Sequence, residues 1–209
     1  MGAQTEDRYP TRPSLLERLK NPEDQASWEA FYAAYRRLIH GAGLQAGLSE
    51  EEAKDLVQDT FLVLARQMPE FQYDPAKCSF KSWLRLVVRC RIRDRLRKRG
   101  RRVATVDLPP ADDTVTEPML NIADPASLEP DPRWDEEWEK NLIQVAIDRL
   151  RGTVNAPQLQ IHLYHVVQGH SVGETCKALG VNAARVYLAK HRVGRLIRRE
   201  VARLQEELI

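Results

Sequence analysis

A chain of 209 residues, 43% of them hydrophobic, is long enough for one large domain or two small ones and can bury a real core. Its net charge of +2 hides strong segregation: Lys81 to Val103 holds eleven Lys or Arg against Asp94, 104–137 holds ten Asp or Glu against Arg133, and 182–204 holds seven Lys or Arg against Glu200. Cys78, Cys90 and Cys176 lack any CxxC spacing, which argues against a disulfide framework, and the absence of a signal-like segment or a long apolar run argues for a cytoplasmic chain with no membrane span.

Helical periodicity runs through the chain, and no alternating strand pattern interrupts it. After Pro10 and Pro13, SLLERL reads as a short helix capped by Ser14, broken at Asn21-Pro22. Trp28, Phe31, Tyr32, Tyr35 and Leu38 then recur at helical spacing to about Ile39, and Gly41, Gly43 and Gly47 predict a loop. Ser49 and Glu52 have capping-box spacing and open the next helix, with Ala53, Leu56, Val57, Phe61, Leu64 and Met68 on its apolar face. The opposite face carries Asp55, Gln58, Asp59 and an apolar residue without an evident intrachain role, Leu62.

Pro69 ends that helix, and PEFQYDPAKCS reads as a loop. A basic helix follows from about Ser79 to Arg99, with Phe80, Leu84, Val87, Val88, Ile92 and Leu96 as its apolar stripe. Lys81, Arg85, Arg89, Arg93, Arg97 and Arg101 recur every four residues along it. Like charges at this spacing repel by roughly 0.2–0.5 kcal/mol per pair, so the track makes most sense facing an anionic polymer. Phe71, Tyr73, Phe80 and Trp83 beside that track suit stacking on unpaired bases; for Phe80 and Trp83 a place in the core is the competing reading.

Residues 104–136, with six prolines at positions 109, 110, 118, 125, 130 and 132, read as an acidic linker. Trp134, Trp138, Leu142, Ile143, Val145, Ala146 and Leu150 restore a helix, and PQLQIHLYHVVQ forms another. SVGETCKALGVNAARVYLAKHRVGRLIRR then has helix-turn-helix form. Ser171 and Glu174 make a second capping box, Ala178 and Leu179 supply small and apolar residues, and Gly180 makes the turn. Val186, Val193 and Ile197, aided by Leu188 and Leu196, face the core, leaving Arg185, Tyr187, Lys190, His191, Arg192 and Arg195 outward. Arginines there can bind guanine edges in a major groove; a bundle with a solvated basic face is the plainer alternative. His162, His165, His170 and Cys176 lack the carboxylate of a metal-ligand pattern, so neither metal, cofactor nor enzymatic chemistry is expected.

DLVQDTFLVLAR followed by FKSWLRLVVRCRIRDRLRKR resembles region two of bacterial sigma factors, and LGVNAARVYLAKHRVGRLIRR resembles their C-terminal helix-turn-helix. Their order, the linker and the lack of a middle domain resemble the small extracytoplasmic-function (ECF, group 4) class of the sigma-70 family. The resemblance implies an all-α chain of two small helical domains, 1–103 and 137–209, joined by the acidic flexible linker 104–136. It implies a non-catalytic initiation subunit whose partners are promoter DNA and core RNA polymerase, through the largest-subunit clamp and the flap, with an anti-sigma factor as a further partner. Asp55, Leu56, Gln58, Asp59 and Leu62 would dock on the clamp. Phe71, Tyr73, Lys77, Ser79, Trp83, Arg85, Arg89, Arg93 and Arg97 would hold and melt the −10 element. Arg185, Tyr187, Lys190, His191, Arg192 and Arg195 would meet the −35 element. The chain departs from the family at Cys90, where Asn is frequent, at Arg185 and Tyr187 early in the recognition helix, and at Thr175, where an apolar residue is usual. The alternative is a helix-turn-helix regulator that never touches polymerase.

Overall fold

The computed structural model describes residues 14–72, 79–100 and 131–208. Its regular structure among the described residues is helical, as expected: α1 (Leu15–Leu19), α2 (Gln25–Gln45), α3 (Glu50–Gln67), α4 (Phe80–Gly100), α5 (Pro132–Leu150), α6 (Ala156–His162), α7 (Val172–Leu179) and α8 (Ala183–Leu208). Short side chains set the starts. Ser14, Asp24, Ser49, Asp131, Asn155 and Ser171 each accept a hydrogen bond from a backbone N–H of the first turn, satisfying a donor the helix leaves unpaired. Both expected capping boxes close, at Ser49/Glu52 and at Ser171/Glu174.

Two boundaries differ from the sequence reading. Helix α2 does not stop near Ile39 but continues through Gly41 and Gly43 to Gln45. Gly43 is there for contact, because an added Cβ would stand 2.9 Å from Leu56 Cδ2 and 3.3 Å from Ala53 Cβ. The missing side chain lets α2 and α3 approach closely. Gly47 alone of the three glycines makes the turn, with φ 85°. Helix α5 begins inside the stretch read as linker, at Pro132, because Asp131 caps it (Trp134 N to Asp131 Oδ1, 3.2 Å) and proline at the first position needs no N–H donor.

Residues from both ends of the chain share one continuous core. Leu16 and Leu19 of α1, Phe31 and Ile39 of α2, Leu56 and Leu64 of α3, Leu84 and Val87 of α4, Trp138 and Leu142 of α5, and Val193, Ile197 and Leu204 of α8 belong to it. Trp134, Trp138 and Leu142 lie at i, i+4, i+8 on α5 and need a partner surface. Helix α2 provides it: the Trp138 ring stacks on Tyr35 at 5.4 Å, and Asn141 Nδ2 donates to Ala34 O at 2.9 Å. Burial pushes the Tyr35 hydroxyl far above its ordinary pKa, so it stays protonated.

A second, smaller cluster of Ile161, Val186 and Ala189, with Val172, Cys176, Leu179 and Val181 against it, holds the helix-turn-helix together. Helix α8 joins the two, its first half in the small cluster and its second half in the large one.

Candidate nucleic-acid and partner interfaces

Helix α3 presents the first face. Asp55, Gln58, Asp59 and Leu62 are exposed, and Leu62 is 57% accessible. Leu56 is not part of that face: it is fully buried against Gly43, so it supports the helix and cannot meet a partner directly. Leu62 borders an apolar groove of about 610 Å³ between α2 and α3, lined by Trp28, Tyr32, Phe61, Leu62 and Ala65, with Gln25, Glu29 and Gln58 on its rim. Tyr32 and Phe61 meet edge-on across it at 4.9 Å. Sequence reasoning put Tyr32 in the core stripe of α2. Its neighbour Phe31 holds the buried register with Tyr35, Leu38 and Ile39, and the following position therefore points outward.

The acidic groups of this face are already paired. Arg95 of α4 reaches Asp55 at 3.4 Å and also Asp59. Arg99 reaches Glu52 at 3.7 Å and donates to Gly47 O at 3.1 Å. The Ser49 backbone N–H, with smaller contributions from the Ser49 hydroxyl and these guanidiniums, holds the Glu52 carboxyl below the usual range.

Helix α4 presents the second face. Ser79 caps it through its hydroxyl (Ser82 N to Ser79 Oγ, 3.2 Å). Phe71 and Trp83 are buried against each other at 4.7 Å, and Trp83 lies 5.5 Å from Phe80. The core reading therefore describes Phe80 and Trp83 here, and Phe71 joins them. Tyr73 and Lys77 lie outside the described residues.

The expectation that α4's cations await an external polyanion is only partly met. Besides Arg95 and Arg99, Arg91 and Arg97 pair with Asp94 at 3.3 and 3.8 Å, and Lys81 pairs with Asp135 of α5 at 2.7 Å. These partners, apart from Asp94, lie 36 or more positions away, which is why the local repulsion argument overstated the imbalance. Arg85 is only 4% exposed. Among the described residues no carboxylate pairs with Arg89 or Arg93; Arg93 points one nitrogen at Cys90 Sγ, 3.7 Å away. Arg85, Arg89, Cys90 and Arg93 line one wall of a groove of about 730 Å³, and the cap residue Asp131 with Arg133, Trp134 and Glu137 of α5 line the other.

The third face is α8. Asn182 caps it (Arg185 N to Asn182 Oδ1, 2.9 Å), and Gly180 takes the left-handed conformation, φ 63°, that reverses the chain after α7. Val186, Ala189, Val193 and Ile197 are buried; Leu188 (44%) and Leu196 (36%) are exposed, contrary to their expected core role. Ala189 takes the buried position because it lies three residues after Val186 and four before Val193 on the same stripe. Ala178 is exposed too, and the small buried residue of α7 is Thr175, whose hydroxyl donates to Ser171 O at 2.8 Å so that its methyl packs without an unpaired polar atom.

Arg185, Tyr187, Lys190, His191, Arg192 and Arg195 are all exposed. At about 100° per residue, Arg185, Arg192 and Arg195 share one flank, His191 and then Tyr187 follow around the exposed side with Tyr187 roughly 160° from Arg185, and Lys190 stands across the buried stripe, roughly 140° from Arg185. One DNA groove therefore cannot take Arg185 and Lys190 together with equal intimacy.

Behind α8, His162 is buried, and burial first, then the neighbouring His165, holds its pKa below the ordinary value. His165 Nδ1 meets His170 O at 2.7 Å, and His170 stacks on Tyr164 at 4.0 Å. These histidines thus serve the packing of the turn before α7. Among the described residues no group of three or more His, Cys, Asp or Glu is placed to hold a metal ion, and no helix is long and apolar enough to cross a membrane.

Residues 31–102, from the second turn of α2 to two positions past the end of α4, match the family model for sigma-70 region 2. The match falls on the segment where the motifs were expected to place such a region. No curated protein matches the sequence. One chain of a solved RsbN–BldN complex aligns with 90% of this chain and 98% of its own length at 18% identity. The TM-score is 0.34, at which the superposition says nothing of a common arrangement.

Proposed function

We propose, starting from a sigma-70 region 2 at residues 31–102, that this chain is an initiation factor of the ECF class that binds core RNA polymerase and directs it to promoters. The observation that carries the reading is the combination on one chain: a region 2 segment, and beyond it a helix-turn-helix with six exposed polar or basic side chains on α8. A regulator that never touched polymerase would have no use for the first of these.

In this reading the chain does no bond chemistry. The polymerase supplies the reaction, and these residues supply position. Leu62 and the groove of Trp28, Tyr32 and Phe61 bury apolar surface against the clamp, with Gln58, Asp55 and Asp59 as the polar rim. Arg89, Arg93 and Arg97 contact phosphates of the −10 region, where charge brings affinity with little sequence information. Arg85 and Trp83 join them only once uncovered, and Phe71 supports Trp83 from behind. Arg185 and Arg192 read base edges of the −35 element, while Arg195 and His191 contact its backbone and Tyr187 packs beside them.

Run-off transcription with core polymerase and the DNA upstream of the chain's own gene tests this. Defined transcripts that depend on the added chain are expected. Sequence-selective duplex binding without any association with core at low salt would replace the reading with a conventional helix-turn-helix regulator.

A further inference from the structure

Helix α8 keeps a leucine where the packing of the chain has no use for one. Val186, Ala189, Val193 and Ile197 are buried on one stripe. At about 100° per residue, Leu196 lies roughly 65° from the middle of that stripe, at the edge of the core. Leu188 lies roughly 145° from it, on the outer side, and is 44% exposed.

The surroundings of Leu188 are cationic. Arg185 lies one turn before it, and Arg192 and Arg195 lie one and two turns after it, all three exposed on the same flank. Among the described residues no carboxylate pairs with these arginines. Ala184, one turn nearer the N-terminus on the same row, is exposed and ends in a methyl group. The outermost row of the first two turns is therefore Ala184 and Leu188, with Arg185 beside it and Arg192 and Arg195 beyond.

The position of that row limits what it meets. In a helix-turn-helix the N-terminal turns of the second helix face base edges, and phosphates lie to either side. Gly180 makes the turn and Asn182 caps the second helix, so Ala184 and Leu188 fall in those turns. Base edges in the major groove offer donors, acceptors and one methyl group, on C5 of thymine. Leucine has no hydrogen-bonding group to give, so the methyl is the feature that rewards it.

We propose that Leu188 is a specificity-determining residue: its exposed methyl groups pack on the C5-methyl of a thymine in the duplex that α8 reads. Leu188 lies about 4.5 Å along the helix axis from Arg185 and about 6 Å from Arg192, and base pairs are about 3.4 Å apart. The thymine therefore stands within about two base pairs of the bases those arginines meet. The proposal rests on the placing of α8 against the −35 element in the initiation reading, and it needs only the DNA half of that reading.

Duplexes recovered from a randomised pool by the full chain, once alone and once with core polymerase, supply the probe. Each thymine of the preferred duplex is replaced in turn by deoxyuridine, which removes the methyl and keeps every hydrogen-bonding group. Fluorescence anisotropy reads the affinities, and Arg185→Ala marks the arginine-read bases as those whose preference it relaxes. Burying one methyl is worth roughly fourfold in affinity, so wild type should lose about that much at one thymine beside the marked bases. Leu188→Ala should bind the thymine and uracil duplexes equally at that position, with its preference at the marked bases and its Tm unchanged. Leu188→Met, which keeps a long apolar side chain, should retain most of the discrimination.

Wild type indifferent to uracil at every thymine overturns the proposal, as does discrimination that survives Leu188→Ala. A pool that enriches no duplex under either condition, or one without thymine beside the marked bases, overturns it too. Failure of run-off transcription with the methyl discrimination intact removes the initiation reading alone; normal run-off with no discrimination removes the thymine contact alone.

Discussion

Gly41 and Gly43 lie two residues apart in α2 and make opposite demands, so alanine at each gives a paired experiment. Alanine in a helix interior is favoured over glycine by about 0.5–1 kcal/mol, because glycine loses more backbone freedom on folding. At Gly41 nothing lies within 4 Å of the added Cβ, so the full gain should appear. At Gly43 the Cβ meets Leu56 Cδ2 at 2.9 Å, Ala53 Cβ at 3.3 Å and Leu48 Cδ1 at 3.4 Å. Leu56 is wholly buried and Ala53 is fixed to α3, so neither yields freely. Overpacking of this kind costs about 1–3 kcal/mol, which exceeds the propensity gain. Gly43→Ala should therefore be net destabilising and Gly41→Ala stabilising, separated by roughly 1–3 kcal/mol, or about 2–12 °C in Tm at this chain length. Thermal unfolding followed by circular dichroism, with urea midpoints at unchanged slope, measures the difference. In Gly43→Ala/Leu56→Ala the two changes should couple favourably, since the second vacates the space the first invades. Gly43→Ala unfolding at or above Gly41→Ala would show that α2 and α3 are not held at this separation.

The apolar groove leads to Leu62→Asp. Burying the exposed part of Leu62 is worth about 1–2 kcal/mol, so core binding should weaken roughly tenfold or more with Tm unchanged, as read by anisotropy of labelled protein. Asp59→Arg also lowers core binding, but it sets a guanidinium beside Arg95, so its Tm should fall as well; an unchanged Tm would break the Arg95–Asp59 pairing. For His162 the sign follows from a folded pKa held below the unfolded value near 6.5: the stabilisation is complete above that value and is lost as pH falls through the folded pKa. Wild-type Tm should drop between pH 7.5 and 5.5 by more than that of His162→Leu, and equal drops would remove His162 as the cause. On α8, Arg185→Ala should cost about 1–3 kcal/mol on the preferred duplex and relax its sequence preference, whereas Arg195→Ala should weaken all duplexes alike and lower the salt slope by about one; a uniform loss from Arg185→Ala would assign that side chain to the backbone.

Local features were readable from neighbouring residues. Ser49 with Glu52, Ser171 with Glu174 and the Gly180 turn involve interactions within a few positions, and all three are found. The exposure of Leu62 was readable as well, because the buried residues of α3 leave it on the opposite face. What stayed hidden depends on distant parts of the chain. Gly43 reads as a loop residue until α3 lies on it, and Asp59 reads as a free carboxylate until Arg95 arrives from 36 positions away. Arg85 continues a four-residue periodicity of exposed cations, yet it is 4% exposed, and nothing in its neighbouring residues announces that. Leu188 and Leu196 failed for a different reason: Ala189, small and easily overlooked, takes the buried place on the stripe.

Helix α8 has a mechanical consequence. Its 26 residues form one continuous rod about 39 Å long, packed in the large core at one end and carrying Arg185, together with α6 and α7, at the other. Between Leu204 and Arg185 the lever arm is roughly 28 Å, so a tilt of about 10° at the packed end sweeps the tip through roughly 5 Å. Successive bases of a strand are about 3.4 Å apart along the duplex axis. A small repacking around Ile197 and Leu204 would thus move Arg185 by more than one base step, and in the proposed initiation role core substitutions far from any DNA would retune promoter spacing.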